Sequence, residues 1–92
     1  MNIADYLSIG RANAKKKREL MALTGLTEKQ VRDKIQQERK NGVPILSTTL
    51  DGYFLPENEH DTKIFIRSMR HRANEIVLAA NGVENGQQQS IF

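Results

Sequence analysis

Between Thr27 and Gln36 the chain carries Thr27, Lys29, Gln30, Arg32, Asp33 and Gln36 in close succession. These side chains suit reading the edges of bases: a Gln amide pairs a donor and an acceptor with adenine, and Arg or Lys donates to guanine. Just upstream, Lys15-Lys16-Lys17-Arg18 is an unbroken cationic run, and Lys40 lies just downstream. Cations so placed can hold phosphates without reading sequence. Catalytic chemistry has no comparable footing. The chain has no cysteine, no G-x-S-x-G, no Gly-rich phosphate loop and no H-E-x-x-H. Its two histidines, His60 and His71, have no ligand spacing that would hold a metal. A non-enzymatic protein without metal, cofactor or small-molecule substrate is expected.

The composition narrows the partner. The net charge is +3 over 92 residues, and it is unevenly spread. Residues 1–42 carry ten Lys and Arg against five acids, a net of +5. Residues 43–62 have no basic residue and four acids: Asp51, Glu57, Glu59 and Asp61. From Lys63 onward four basic residues face two acids. A polyanion would be drawn to the first segment. No apolar run reaches the ~18 residues of a membrane span, and the N-terminus has no signal-peptide pattern, so a soluble, cytoplasmic chain is expected. The length fits one domain with a limited core, too small for a large substrate cavity.

The elements that must position these residues are legible from caps and spacing. Lys15 to Leu23 is predicted as a helix bearing Leu20, with Leu23 or Leu26 and Met21 or Ala22 beside it. Gly25 can take the positive φ that ends it. Thr27 and Gln30 have the spacing of a capping box and start a second helix, 28–41, closed by Gly42. A helix, a tight turn and a second capped helix are the layout of a helix-turn-helix, whose second helix can enter the DNA major groove. On a wheel of 100° per residue, Val31 and Ile35 face inward while Lys29, Asp33, Gln36 and Lys40 face outward, flanked by Gln30, Arg32 and Gln37. Glu38 breaks this pattern, projecting within about 20° of Val31. A carboxylate there needs a partner: Arg67 or Arg70 from the last helix, or adjacent Arg39, unless the helix end is open to water. The cationic run opposes the dipole at the start of the first helix. Either it is a solvated, slightly unfavourable run, or it is kept because a phosphate backbone lies nearby, the preferred reading.

Ahead of this unit, Asn2 caps a short helix with Ile3, Tyr6 and Leu7 inward and Gly10 as its end. Arg11 to Asn13 make a linker, and Ala14-Lys15 either form a brief strand or lead into the next helix. After it, Val43 to Pro56 is predicted as a β-hairpin, with strands Ile45–Thr49 and Tyr53–Leu55 and Asp51-Gly52 as the turn signal. The loop has no Lys or Arg, leaving Thr48, Thr49 and backbone N–H groups as its phosphate donors. The last helix, 57–82, is expected to stop at Gly82. Ile66, Met69, Ala73, Ile76 and Ala80 follow a 3-4 spacing that forms an apolar seam, widened by Phe65, Val77 and Leu78. The seam either lies back across the domain or joins a homodimer or another partner. Arg67, Arg70, His71 and Arg72 form a basic cluster on this helix, and residues 83–92 are expected to be a disordered tail.

Leu20 to Leu55 resembles the winged helix-turn-helix family, and is similar to the N-terminal DNA-binding domain of biotin operon repressors. The shared pattern is the leucine-bearing first helix, Gly25, Val31, Ile35, Arg39, Gly42-Val43-Pro44-Ile45 and Gly52-Tyr53. With Tyr6-Leu7, Gly10-Arg11, Asn13-Ala14 and Ile66-Arg67-Ser68-Met69, the chain resembles small winged-helix proteins of phages and prophages of Gram-positive bacteria. Glu38 stands where that family usually has Leu, and the wing lacks a basic residue. The resemblance implies a mainly α fold with a small β-hairpin, a winged helix-turn-helix plus a long C-terminal helix in a single domain, 1–82. It also implies a sequence-specific double-stranded DNA-binding protein of the regulator type. In that role Thr27, Lys29, Gln30, Arg32, Asp33 and Gln36 would read bases, while Lys15, Lys16, Lys17, Arg18, Lys40, Thr48 and Thr49 would hold phosphates. The alternative is a protein-interaction or replication accessory module that uses the seam Phe65, Ile66, Met69, Ala73, Ile76 and Val77.

Overall fold

The computed structural model describes residues 2–89, and the chain divides into two compact units, up to Thr62 and from Lys63 onward. The first unit holds two short 3₁₀ turns (Ile3–Tyr6 and Arg11–Asn13), helices α1 (Lys17–Thr24) and α2 (Glu28–Lys40), and strands β1 (Leu46–Thr48) and β2 (Gly52–Phe54). Helix α3 (Glu59–Gln89) starts in the first unit and continues through the described part of the second. The protein is thus mainly helical, with one antiparallel hairpin and a long C-terminal helix.

The local rules account for the central elements. Gly25 closes α1 in the left-handed conformation, φ 74°, its N–H donating to the Met21 carbonyl. The Thr24 hydroxyl donates to the Leu20 carbonyl and accepts from the Leu26 N–H, tying the turn to the helix it ends. Thr27 caps α2: its hydroxyl accepts from the Gln30 N–H, and the Gln30 side-chain oxygen accepts from the Thr27 N–H. Val31 and Ile35 are buried with Ile3, Leu7, Leu20 and Ile45 to form the core, with Leu46 and Phe54 also buried. Met21 and Leu26 pack against it, whereas Leu23 is exposed.

Several expectations change, and the open reading of Ala14-Lys15 is resolved. The helix predicted up to Gly10 closes after one 3₁₀ turn at Tyr6, because the backbone beyond it pairs with the hairpin. The Leu55 N–H donates to the Ser8 carbonyl, and the Gly10 N–H donates to the Leu55 carbonyl. Lys15 supplies the brief strand: it exchanges both backbone hydrogen bonds with Tyr53, at 2.9 and 2.8 Å.

Glu38, buried at 7 % exposure, meets backbone rather than an arginine. Its two carboxylate oxygens accept from the N–H groups of Ile3, at 2.7 Å, and Ala4, at 3.0 Å. These are donors that a helical turn leaves without internal partners, so the carboxylate of α2 caps the first turn of the chain. Arg39 turns the other way. Its guanidinium donates to the Ile45 carbonyl and the Ser47 hydroxyl and lies 6.0 Å from the Tyr53 ring centroid.

Gly82 does not stop the last helix. Asn58 caps α3 by accepting from the Asp61 N–H, and the helix runs through Gly82 and Gly86 to Gln89. A glycine inside a helix costs only about 1 kcal/mol. Glycine ends a helix chiefly by adopting the left-handed conformation, which neither glycine does. Residues 83–89 of the expected disordered tail are therefore helical, while 90–92 lie outside the described residues.

Candidate nucleic-acid interface

The exposed side of α2 follows from its inward side. With Val31, Ile35 and Glu38 buried, the outer arc presents Lys29, Arg32, Asp33, Gln36, Gln37 and Lys40, all exposed. Thr27 and Gln30 are exposed at its start. All six residues expected to read bases thus lie on exposed positions of α2 or its cap, and four of them, Thr27, Gln30, Lys29 and Asp33, carry existing bonds. The Gln30 side-chain oxygen is held in the cap, which leaves its amide N–H₂ to donate. Lys29 and Asp33 form an exposed ion pair at 3.2 Å. Arg32 and Gln36 are long and exposed.

The cationic run is arranged in steps. Lys15 is fixed by its backbone pairing with Tyr53, Lys16 is the N-cap of α1, and Lys17 and Arg18 are in its first turn. Lys17 reaches Glu28 in the first turn of α2, with Nζ and Oε1 2.7 Å apart. This contact brings the run to the end of α2 where its exposed arc starts. It also holds the Glu28 carboxyl below the usual carboxylate range, first through the hydrogen bond from Lys17. Lys17 is thereby committed within the protein, while Lys16, Arg18 and Lys40 are exposed.

The wing differs from expectation in what its loop does. Thr48 pairs with Gly52 across a three-residue loop, and the Thr48 hydroxyl donates to the Asp51 carboxylate while accepting the Asp51 N–H. Thr48 is half-buried and engaged on both sides, and of the two threonines expected to hold phosphate only Thr49 is exposed. Arg11 supplies the positive charge that the hairpin lacks: its Nε lies 2.6 Å from Asp51 Oδ2. Residue types alone could not reveal this partner, since Arg11 lies 40 positions from Asp51.

The Arg11 hydrogen bond, then that of Thr48, holds the Asp51 carboxyl below the usual carboxylate range. A depressed folded-state value stabilises the fold above the unfolded pKa of ~3.9, and this contribution disappears as pH falls through the folded-state value. In an NMR titration, Arg11→Ala should move the Asp51 midpoint upward toward that of an ordinary aspartate. An unchanged midpoint would show that Arg11 does not hold the carboxylate in solution.

A comparison with protein-family models, curated proteins and solved structures finds no match to this chain. No helix among the described residues is long and apolar enough to cross a membrane.

Proposed function

We propose that this chain is a double-stranded DNA-binding protein of the cytoplasm, a regulator of the phage or prophage type, and that it acts by binding rather than by catalysis. Helix α2 enters the major groove. Arg32 and Gln36 read base edges, with Thr27, Lys29, Gln30 and Asp33 around them, while Lys16, Arg18 and Lys40 hold phosphates. The observation that carries this reading is the outer arc of α2: a helix set behind a tight turn, with its apolar residues buried on one side and long Gln, Lys and Arg side chains exposed on the other.

Fluorescence anisotropy on a random duplex tests it. Affinity should fall steeply as salt rises, and Arg18→Ala should weaken binding to every sequence and flatten the log–log salt slope by about 0.9, the value for one phosphate contact. Arg32→Ala should act differently. In a selection from random duplexes it should relax the preference at one position, by about 1–3 kcal/mol of discrimination. Salt-insensitive or absent binding would refute the proposal.

The second reading is a protein-interaction or replication accessory module. Two observations favour it: the hairpin carries no Lys or Arg, and apolar residues on α3 are exposed. That module would bind no duplex under the same titration.

A further inference from the structure

Helix α3 exposes an apolar seam with a heptad repeat. Ile66, Met69, Ala73, Ile76, Ala80 and Val83 alternate by three and four, which places them in one stripe about 26 Å long at ~1.5 Å per residue. Ile66 and Met69 are 38 % and 40 % exposed, and Ile76 and Val83 are 68 % and 72 % exposed. Two features of this stripe specify what covers it.

The first is the alternation of size. The a positions after Ile66 are Ala73 and Ala80, while the d positions are Met69, Ile76 and Val83. In a parallel, in-register pair like faces like, so Ala73 would meet Ala73 and Ala80 would meet Ala80, leaving two layers underfilled. In an antiparallel pair, a faces d. Ile66 then meets Val83 of the second copy, Met69 meets its Ala80, and Ala73 meets its Ile76. Each alanine faces a large side chain, and no layer is a pair of alanines.

The second feature is charge. Residues 63–72 carry Lys63, Arg67, Arg70 and Arg72 and no acid, whereas residues 73–89 carry Glu75 and Glu84 and no Lys or Arg. A parallel pair packs two basic halves together. An antiparallel pair lays each basic half along the half of its mate that has no Lys or Arg, with Glu84 of one copy beside Lys63 of the other. It also sets Phe65, at the edge of the seam, opposite Gly86, where the missing side chain leaves room.

We propose that α3 pairs with α3 of a second copy as an antiparallel coiled coil, with its two-fold axis between Asn74 and Glu75. The pairing uses α3 alone and stands whether or not α2 binds DNA. The chain has no cysteine, so introduced cysteines report its geometry directly. The full chain should sediment as a dimer. When Ile66→Cys and Val83→Cys proteins are mixed and oxidised, they should form a disulfide-linked pair with each other, while Ile66→Cys alone should not. Ile76→Glu should weaken the dimer at least tenfold, and Ser68→Glu, off the seam, should leave it intact. A monomer in sedimentation, cross-linking by Ile66→Cys alone, or a dimer whose mixed variants fail to cross-link would each overturn the proposal.

Discussion

Replacing Glu38 by Leu is expected to destabilise the protein by about 3 kcal/mol or more, although Leu would complete the apolar face of α2. The reason lies in what the carboxylate serves. Ile3 is fully buried, and its N–H and that of Ala4 donate to the two oxygens of Glu38. Hydrogen bonds to a charged acceptor contribute about 1.5–3 kcal/mol each, and a buried donor left without a partner costs about 1–3 kcal/mol. A leucine supplies burial but no acceptor, so both N–H groups are orphaned. For a domain this small, such a loss is a large part of the ~5–15 kcal/mol that holds a fold together. Ala adds a cavity and should be at least as damaging. Gln should be milder, because its one oxygen still serves one N–H while its amide N–H₂ faces the other. Urea denaturation followed by circular dichroism gives the order Glu, Gln, then Leu and Ala. If the Leu protein matched the original in midpoint at equal slope, the capping role would be dispensable.

This carboxylate also marks where sequence reasoning stops. The caps of α2, the left-handed Gly25, the closing Gly42 and the inward pair Val31 and Ile35 follow from rules that act within one or two helical turns. Such rules are visible in residue order. The spacing also flags Glu38 as an anomaly, but a search for its partner among oppositely charged side chains looks in the wrong place. Backbone N–H groups at Ile3 and Ala4 have no residue-type signature, and they lie 35 and 34 positions away. Arg39 is misassigned for the same reason, since its acceptors are a carbonyl and a hydroxyl on the hairpin. In the candidate interface, the wheel places every outward residue of α2 correctly. It does not show which polar groups are already committed. Gln30, Lys17 and Thr48 spend part of their bonding capacity on the cap, on Glu28 and on Asp51. The length of α3 escapes for an energetic reason: at Gly82 the glycine penalty is too small, no proline follows, and no left-handed turn follows among the described residues to convert it into an end.

Gly52→Ala should cost about 3 kcal/mol or more, clearly more than Gly42→Ala, although both glycines have nearly the same backbone conformation, φ 100° and 96°. That conformation alone penalises an L side chain by about 1–3 kcal/mol, and Gly42, with open space around it, should lose only this. At Gly52 a methyl group would also press into the backbone of the segment before α1. It would meet the Lys15 carbonyl oxygen, lie 2.7 Å from its carbon and lie 2.9 Å from the Lys16 nitrogen. Backbone cannot swing aside as a side chain can, so the two strands must part. The hydrogen bonds between Lys15 and Tyr53 should then weaken, at about 0.5–1.5 kcal/mol each. Hydrogen exchange should locate the damage, with the Lys15 and Tyr53 amides losing protection while those of Val31 and Ile35 keep theirs. The consequence for the proposed function is specific. Lys15 moors the cationic run to the hairpin, so its release should lower affinity for all duplexes alike and leave sequence preference, which α2 carries, unchanged. Equal penalties at the two glycines would mean that the close approach to Lys15 is absorbed without parting the strands, and that the basic run is positioned by α1 alone.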